Sequence, residues 1–160
     1  MLFETPVRLY TEYVALGTAE KLHAGELLAK AGRLLLETGD APLDNDAILQ
    51  KRYLLRKIAG DLLRQSDHMG HFKQYDCVPA LKEYTYLALD LAFEYCERKA
   101  DRRLLPFLAR VIYCETQHGD SARLRGLQEI YDRSLELEKQ YHGRLITSSC
   151  LDVPGDIWGF

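Results

Sequence analysis

Apolar residues in this chain recur with the 3.6-residue period of an α-helix, and strand signals are almost missing: β-branched runs are few and no Asn-Gly hairpin turn occurs. A helix with one apolar stripe must bury it against another helix, so this pattern predicts an all-α fold and excludes sandwiches, barrels and doubly wound sheets.

The stripes divide the chain into segments. The first helical region covers residues 5–37, with Thr5 as N-cap and Pro6 at the first helical position. Leu9, Tyr13 and Leu16 form its first stripe. Gly17-Thr18 offers a break, with Thr18 capping a second piece that carries Leu22, Leu27, Leu28, Ala31, Leu34 and Leu35. Gly39-Asp40 and Ala41-Pro42 stop the region. The second helix covers residues 46–65, capped by Asp44 or Asn45. Ile48, Leu49, Tyr53, Leu55, Ile58, Leu62 and Leu63 read as its buried stripe. Its other face carries Lys51, Arg52, Arg56, Lys57 and Arg64. A polar loop is expected over residues 66–78. The third helix runs over residues 79–99, with Leu81, Tyr84, Leu87, Ala88, Leu91, Ala92 and Tyr95 inward. The fourth covers residues 101–117, where Pro106 is tolerated only near the start. The fifth covers residues 121–141 and ends at Gly143. Five to six helices result, either as stacked antiparallel hairpins or as an irregular bundle.

At 160 residues the chain is long enough to fold without a metal or disulfide staple. It reads as one helical domain over residues 1–146 with a non-helical tail over residues 147–160. Pro154 and Gly155 forbid a helix in the tail, yet Trp158 and Phe160 follow. Two large aromatics favour a tail packed back on its domain, or anchored in a partner. The net charge of −3 argues against a general coater of nucleic acid. No signal peptide and no membrane span of about 20 apolar residues is visible. Cys77, Cys96, Cys114 and Cys150 form no Cys-x-x-Cys pair, so reduced thiols and a cytoplasmic location are expected.

Small-residue pairs recur at Leu16-Gly17, Ala59-Gly60 and Leu108-Ala109. Leu108-Ala109-x-x-Ile112 is followed by Gly126-x-x-x-Ile130, and Ala59-Gly60-x-x-Leu63 by Ala80-x-x-x-Tyr84. In these residues the chain resembles the tetratricopeptide repeat, a helix-turn-helix module with Leu-Gly-x-x-Tyr and Ala-x-x-x-Phe elements. The 34-residue period and the closing proline are absent. The resemblance implies a protein- or peptide-binding scaffold without chemistry of its own.

Motifs for chemistry are few. Glu115-x-x-His118 has the spacing of di-metal helical bundles, but no second copy occurs. His68, His71 and Cys77, with Asp67 and Asp76, hold ligand types that zinc accepts. No Gly-rich phosphate loop, Gly-x-Ser-x-Gly or His-Glu-x-x-His motif is present. No catalytic residue and no cofactor is therefore assigned. Charge is segregated instead, with basic clusters over residues 48–64 and 98–110 and an acidic one over residues 37–46. Ten tyrosines, mostly in helices, suit a groove with wet hydroxyls. The expectation is a non-enzymatic binding protein, an adaptor, chaperone-like holder or inhibitor. It would meet another protein or peptide through Arg52, Arg56, Arg102 and Arg103, with Tyr84, Tyr86 and Trp158. The alternatives are phosphate-backbone binding by the same basic faces, and a metal-binding helical bundle.

Overall fold

Every element of the computed structural model is helical. It describes residues 3–21, 23–38, 43–71, 79–118 and 121–144. Among these are seven α-helices, one 3-10 turn and no strand. The chain gathers into two compact units, Met1–Tyr95 and Cys96–Phe160. Residues 147–160, including Trp158, lie outside the described residues, as does the Gly39-Asp40 turn.

The first unit holds α1 (Glu4–Ala15), α2 (Thr18–Lys21), α3 (Gly25–Glu37), α4 (Asn45–His71) and α5 (Pro79–Tyr95). The long first region is thus three helices. The chain enters α1 through Phe3, with no side-chain cap, and Pro6 sits buried in the first turn. Thr18 begins α2. Asp44 caps α4: its Oδ1 accepts from the Ala47 amide at 2.8 Å. The helix continues six residues past Gln65, through much of the expected loop, to His71. The physical reason is visible at Ser66, which is buried and shares a 2.6 Å hydroxyl bond with Thr85 of α5. At the other end of the same pair, the Arg52 Nη1 donates to the Tyr95 carbonyl at 3.2 Å. The two contacts make α4 and α5 an antiparallel hairpin.

Helix α3 packs against α1, α4 and α5. Gly25 and Gly32 lie seven residues apart, two turns along one face, and both meet α5. A Cβ on Gly25 would stand 2.6 Å from Tyr84 Cε2, and one on Gly32 would stand 3.0 Å from Leu91 Cδ1. The close approach of α5 therefore requires Gly25, while at Gly32 a Cβ would need the end of the Leu91 side chain to give way. Leu28, Ala29, Ala31, Leu35, Leu54, Leu55, Ile58, Ala59, Leu62, Leu63, Ala88, Leu91 and Ala92 fill the core.

The expected stripe of α4 is only half right. Leu55, Ile58, Leu62 and Leu63 are buried, joined by Leu54, whereas Ile48, Leu49 and Tyr53 are exposed. The buried stripe is the part of α4 that α3 and α5 reach.

The second unit opens with a turn at Cys96–Arg98, in which Glu97 (φ 56°) and Arg98 (φ 57°) are left-handed. This turn ends α5 at Tyr95, four residues before the expected boundary. Asp101 then caps a 3-10 turn (Arg102–Leu104), accepting from the Arg103 amide at 2.9 Å. Helix α6 (Leu105–His118) holds Pro106 at its second position, and α7 (Ser121–Arg144) packs against α6. Leu104, Phe107, Leu108, Val111, Cys114 and Leu127 are buried.

Candidate functional site

A cleft of about 270 Å³ opens between α1 and α4 of the first unit. Val7, Tyr10, Thr11 and Val14 line it from α1, and Gln50, Tyr53 and Leu54 from α4. It exists because α1 carries two apolar stripes. Pro6, Leu9 and Tyr13 turn inward. Val7, Tyr10 and Val14, three and four residues apart, fall on a neighbouring face that looks along α4.

Tyrosines hold the two walls. The Tyr10 hydroxyl donates to Asp61 Oδ2 at 2.9 Å. Burial first, and then the Asp61 carboxylate, pushes the Tyr10 phenol well above its ordinary pKa. The Tyr10 and Tyr13 rings stack with centroids 6.4 Å apart. Burial raises the Tyr13 pKa as well. Gln65 Nε2 donates to the Tyr13 hydroxyl at 3.4 Å and to the Lys21 carbonyl, tying α4 to α1 and α2. The Thr11 hydroxyl is engaged within its own helix, donating to the Val7 carbonyl at 2.7 Å.

The cleft rim is exposed at Val14 and Tyr53, and Leu49, one turn before Tyr53 on α4, extends it. Val14 is 50% exposed, Ile48 41%, Leu49 65% and Tyr53 53%. Ile48 is exposed on another face of α4, whereas Val14, Leu49 and Tyr53, large apolar side chains left in water beside the cleft, mark a docking surface. Two cations border it. Lys57 Nζ lies 5.9 Å from the centre of the Tyr53 ring. Arg56, half-buried, follows Leu49 by seven residues and so shares its face.

The residues expected from sequence to form a contact surface are dispersed. Arg52 lies 4.5 Å over the Tyr95 ring and clamps α4 to the end of α5. Of the expected residues, Arg56 lies on the exposed Leu49 face of α4. Tyr84 is buried; its ring covers Gly25 and its hydroxyl donates to Glu26 Oε1 at 2.7 Å. Burial and then Glu26 raise its pKa. Arg33 bridges Glu83 and Glu26 on the same surface. Tyr86 is half-buried with Lys82 Nζ 5.8 Å from its ring centre.

In the second unit, Arg102 stacks 3.7 Å over the Tyr141 ring, with Glu138 at 4.0 Å. Arg103 binds Asp101 in fork geometry, at 2.9 and 2.6 Å. These bonds hold the Asp101 carboxyl below the usual carboxylate range. Arg102 and Arg103 share a shallow hollow of about 370 Å³ with Asp101 and Leu137.

Glu115 is buried in α6. Cys77 and the side chains of His68, His71 and His118 lie outside the described residues. Among the described residues no group of three His, Cys, Asp or Glu could hold a metal ion. Sequence reasoning counted Tyr10 among the groove-lining tyrosines in general and missed Val7, Thr11, Val14 and Gln50. The signal was present as a second apolar stripe on the first helix, beside Leu9 and Tyr13.

The fold thus defines the class, an all-α protein of two compact helical units. No family model, curated protein or solved structure matches the chain. No helix among the described residues is long and apolar enough to cross a membrane.

Proposed function

We propose that this chain is a non-enzymatic binding protein that docks a segment of another protein in the α1/α4 cleft. One observation carries the reading: Val14, Leu49 and Tyr53 stand in solvent beside a cleft that Val7, Tyr10 and Leu54 already line. Burying an apolar side chain is worth about 25 cal/mol per Å² removed from water, so this face gains free energy when covered. The cleft lies just below the range of about 300–1,000 Å³ usual for small-molecule sites, and it suits inserted side chains better than a whole ligand. The hairpin of α4 with α5 suits a helical-hairpin scaffold of tetratricopeptide type. The arginines best suited to a phosphate backbone are engaged within the protein: Arg52 by Tyr95, Arg102 by Tyr141 and Glu138, Arg103 by Asp101. That weighs against the nucleic-acid alternative.

Peptide display tests the reading. A random library is selected on the wild-type protein and counter-selected on the double variant Leu49→Asp/Tyr53→Asp, whose fold is checked by circular dichroism. Both positions are exposed, so the variant keeps its core. Enrichment of peptides that bind wild type and not the variant is the expected result. Equal recovery on both proteins refutes the cleft as the docking site.

A further inference from the structure

The charges around the cleft identify the chemistry of its occupant, granted that the cleft docks a protein segment. On the α1 side, Arg8 and Glu12 neutralise each other at 3.2 Å. Beyond Tyr53 on α4, Asp61 is taken by the Tyr10 hydroxyl and by Arg64 Nη1, both within 2.9 Å. Lys51 leans to the Thr38 carbonyl at 3.5 Å and Arg52 to Tyr95. Arg56 and Lys57 remain as the cations at this end of the exposed face. Glu4 and Asp46 stand in the first turns of their helices, on the same two stripes. The face is therefore apolar at its centre and cationic beyond Tyr53 on α4, with Asp46 at the start of that helix.

The backbone restricts the form of the occupant. Among the described residues there is no strand, so no sheet edge offers a ladder for an added strand. A surface between two helices, with aliphatic and tyrosine walls, accepts ridges of side chains spaced at i, i+3, i+4 and i+7. From Leu49 to Lys57 the face is about 12 Å long at 1.5 Å per residue, or roughly two to three helical turns.

We infer that the cleft takes an amphipathic helix of a partner protein, about three turns long, whose apolar stripe is flanked by carboxylates in the half that meets Arg56 and Lys57. Like charges in that half are repelled, so charge sets both selectivity and orientation.

Two synthetic helices of about 14 residues test this, each with one leucine stripe at i, i+3, i+4, i+7. One has glutamates flanking the stripe in one half, and the other has lysines at those positions. Binding to the full chain is read by fluorescence anisotropy at low and at physiological salt. The glutamate helix is expected to bind about tenfold tighter at low salt, with the preference shrinking as salt rises. Lys57→Glu lowers that preference, and Arg56→Glu/Lys57→Glu inverts it. Lys57→Glu alone decides the matter if half-buried Arg56 is needed for folding.

Equal binding of both helices, abolished by Leu49→Asp/Tyr53→Asp, overturns the acidic partner and leaves the docking reading standing. Binding of neither helix, with a concentration-dependent dimer in sedimentation that Leu49→Asp dissociates, overturns it in favour of a second copy of this chain. Binding of neither by a protein that stays monomeric overturns it outright, and the display selection then judges the docking reading by itself.

Discussion

Replacing Gly25 with alanine tests the packing of α3 on α5. In an ordinary helix this change stabilises by up to about 1 kcal/mol, because glycine loses more backbone freedom on folding. Here the new Cβ would stand 2.6, 3.0 and 3.2 Å from Cε2, Cζ and Oη of Tyr84. Those three are its nearest neighbours, and the first distance is one that real Cβ atoms essentially never show. The ring cannot simply swing aside. Tyr84 is buried and its hydroxyl is bonded to Glu26, so movement breaks that bond or shifts α5. Overpacking of this kind costs about 1–3 kcal/mol, which outweighs the helix gain and leaves a net loss of about 1–2 kcal/mol. With an m-value of about 2 kcal/mol/M, the urea midpoint falls by roughly 0.5–1 M at constant slope. Gly126→Ala, in the interior of α7, is the control without a clash. Its Cβ meets nothing within 4 Å, so the midpoint should rise. The assay is equilibrium urea unfolding followed by circular dichroism. The cycle is completed by Gly25→Ala in a Tyr84→Ala background, where the overlapping atoms are gone and the loss should disappear. An unchanged or raised midpoint for Gly25→Ala, or an equal loss in both backgrounds, refutes the argument.

Glu97 holds a left-handed φ of 56° without glycine's freedom, and its ion pair with Lys99, at 3.5 Å, is exposed. Glu97→Gly should therefore stabilise by about 0.5–1 kcal/mol in the same urea assay. Ser66→Ala or Thr85→Val alone should cost about 1 kcal/mol by removing their buried hydroxyl–hydroxyl bond, and the double variant should cost less than the two singles added together. The Asp101 carboxyl titrates below its unfolded value because Arg103 bonds to it. The stability it contributes is complete above the unfolded pKa of about 3.9 and is lost as pH falls through the lower folded value. Asp101→Asn should flatten the acid loss of stability below about pH 4 in urea melts run at stepped pH.

Much of the architecture was legible because helices are written locally. The period of apolar residues placed the helices, and Asp44 and the Ser121 start fell where the chain reads them. Boundaries moved where a distant contact overrode the local reading. Ser66 looks like the start of a polar loop, but its hydroxyl bond to Thr85 keeps it inside α4. Gly17-Thr18 announced one break, and the structure makes two, with the single turn α2 between.

The candidate site was less legible, for a physical reason. The angle of a side chain around its helix axis follows from sequence spacing alone, and that much was determined for Ile48, Leu49 and Tyr53 as for Leu55, Ile58 and Leu62. Which of them is covered depends on where other helices end and cross, and this is non-local. The tertiary structure buried the second set against α3 and α5 and left the first in water, with Tyr53 in the cleft beside α1. The arginines show the same division. Sequence marks Arg52 and Arg102 as cations on helix faces. Only folding brings Tyr95 and Tyr141, about 40 residues further along the chain, under their guanidinium planes. By itself the sequence determined that this chain is helical and which faces are apolar. The tertiary structure decided how much of each face the core would use, because the width of a stripe is local and its neighbour is not.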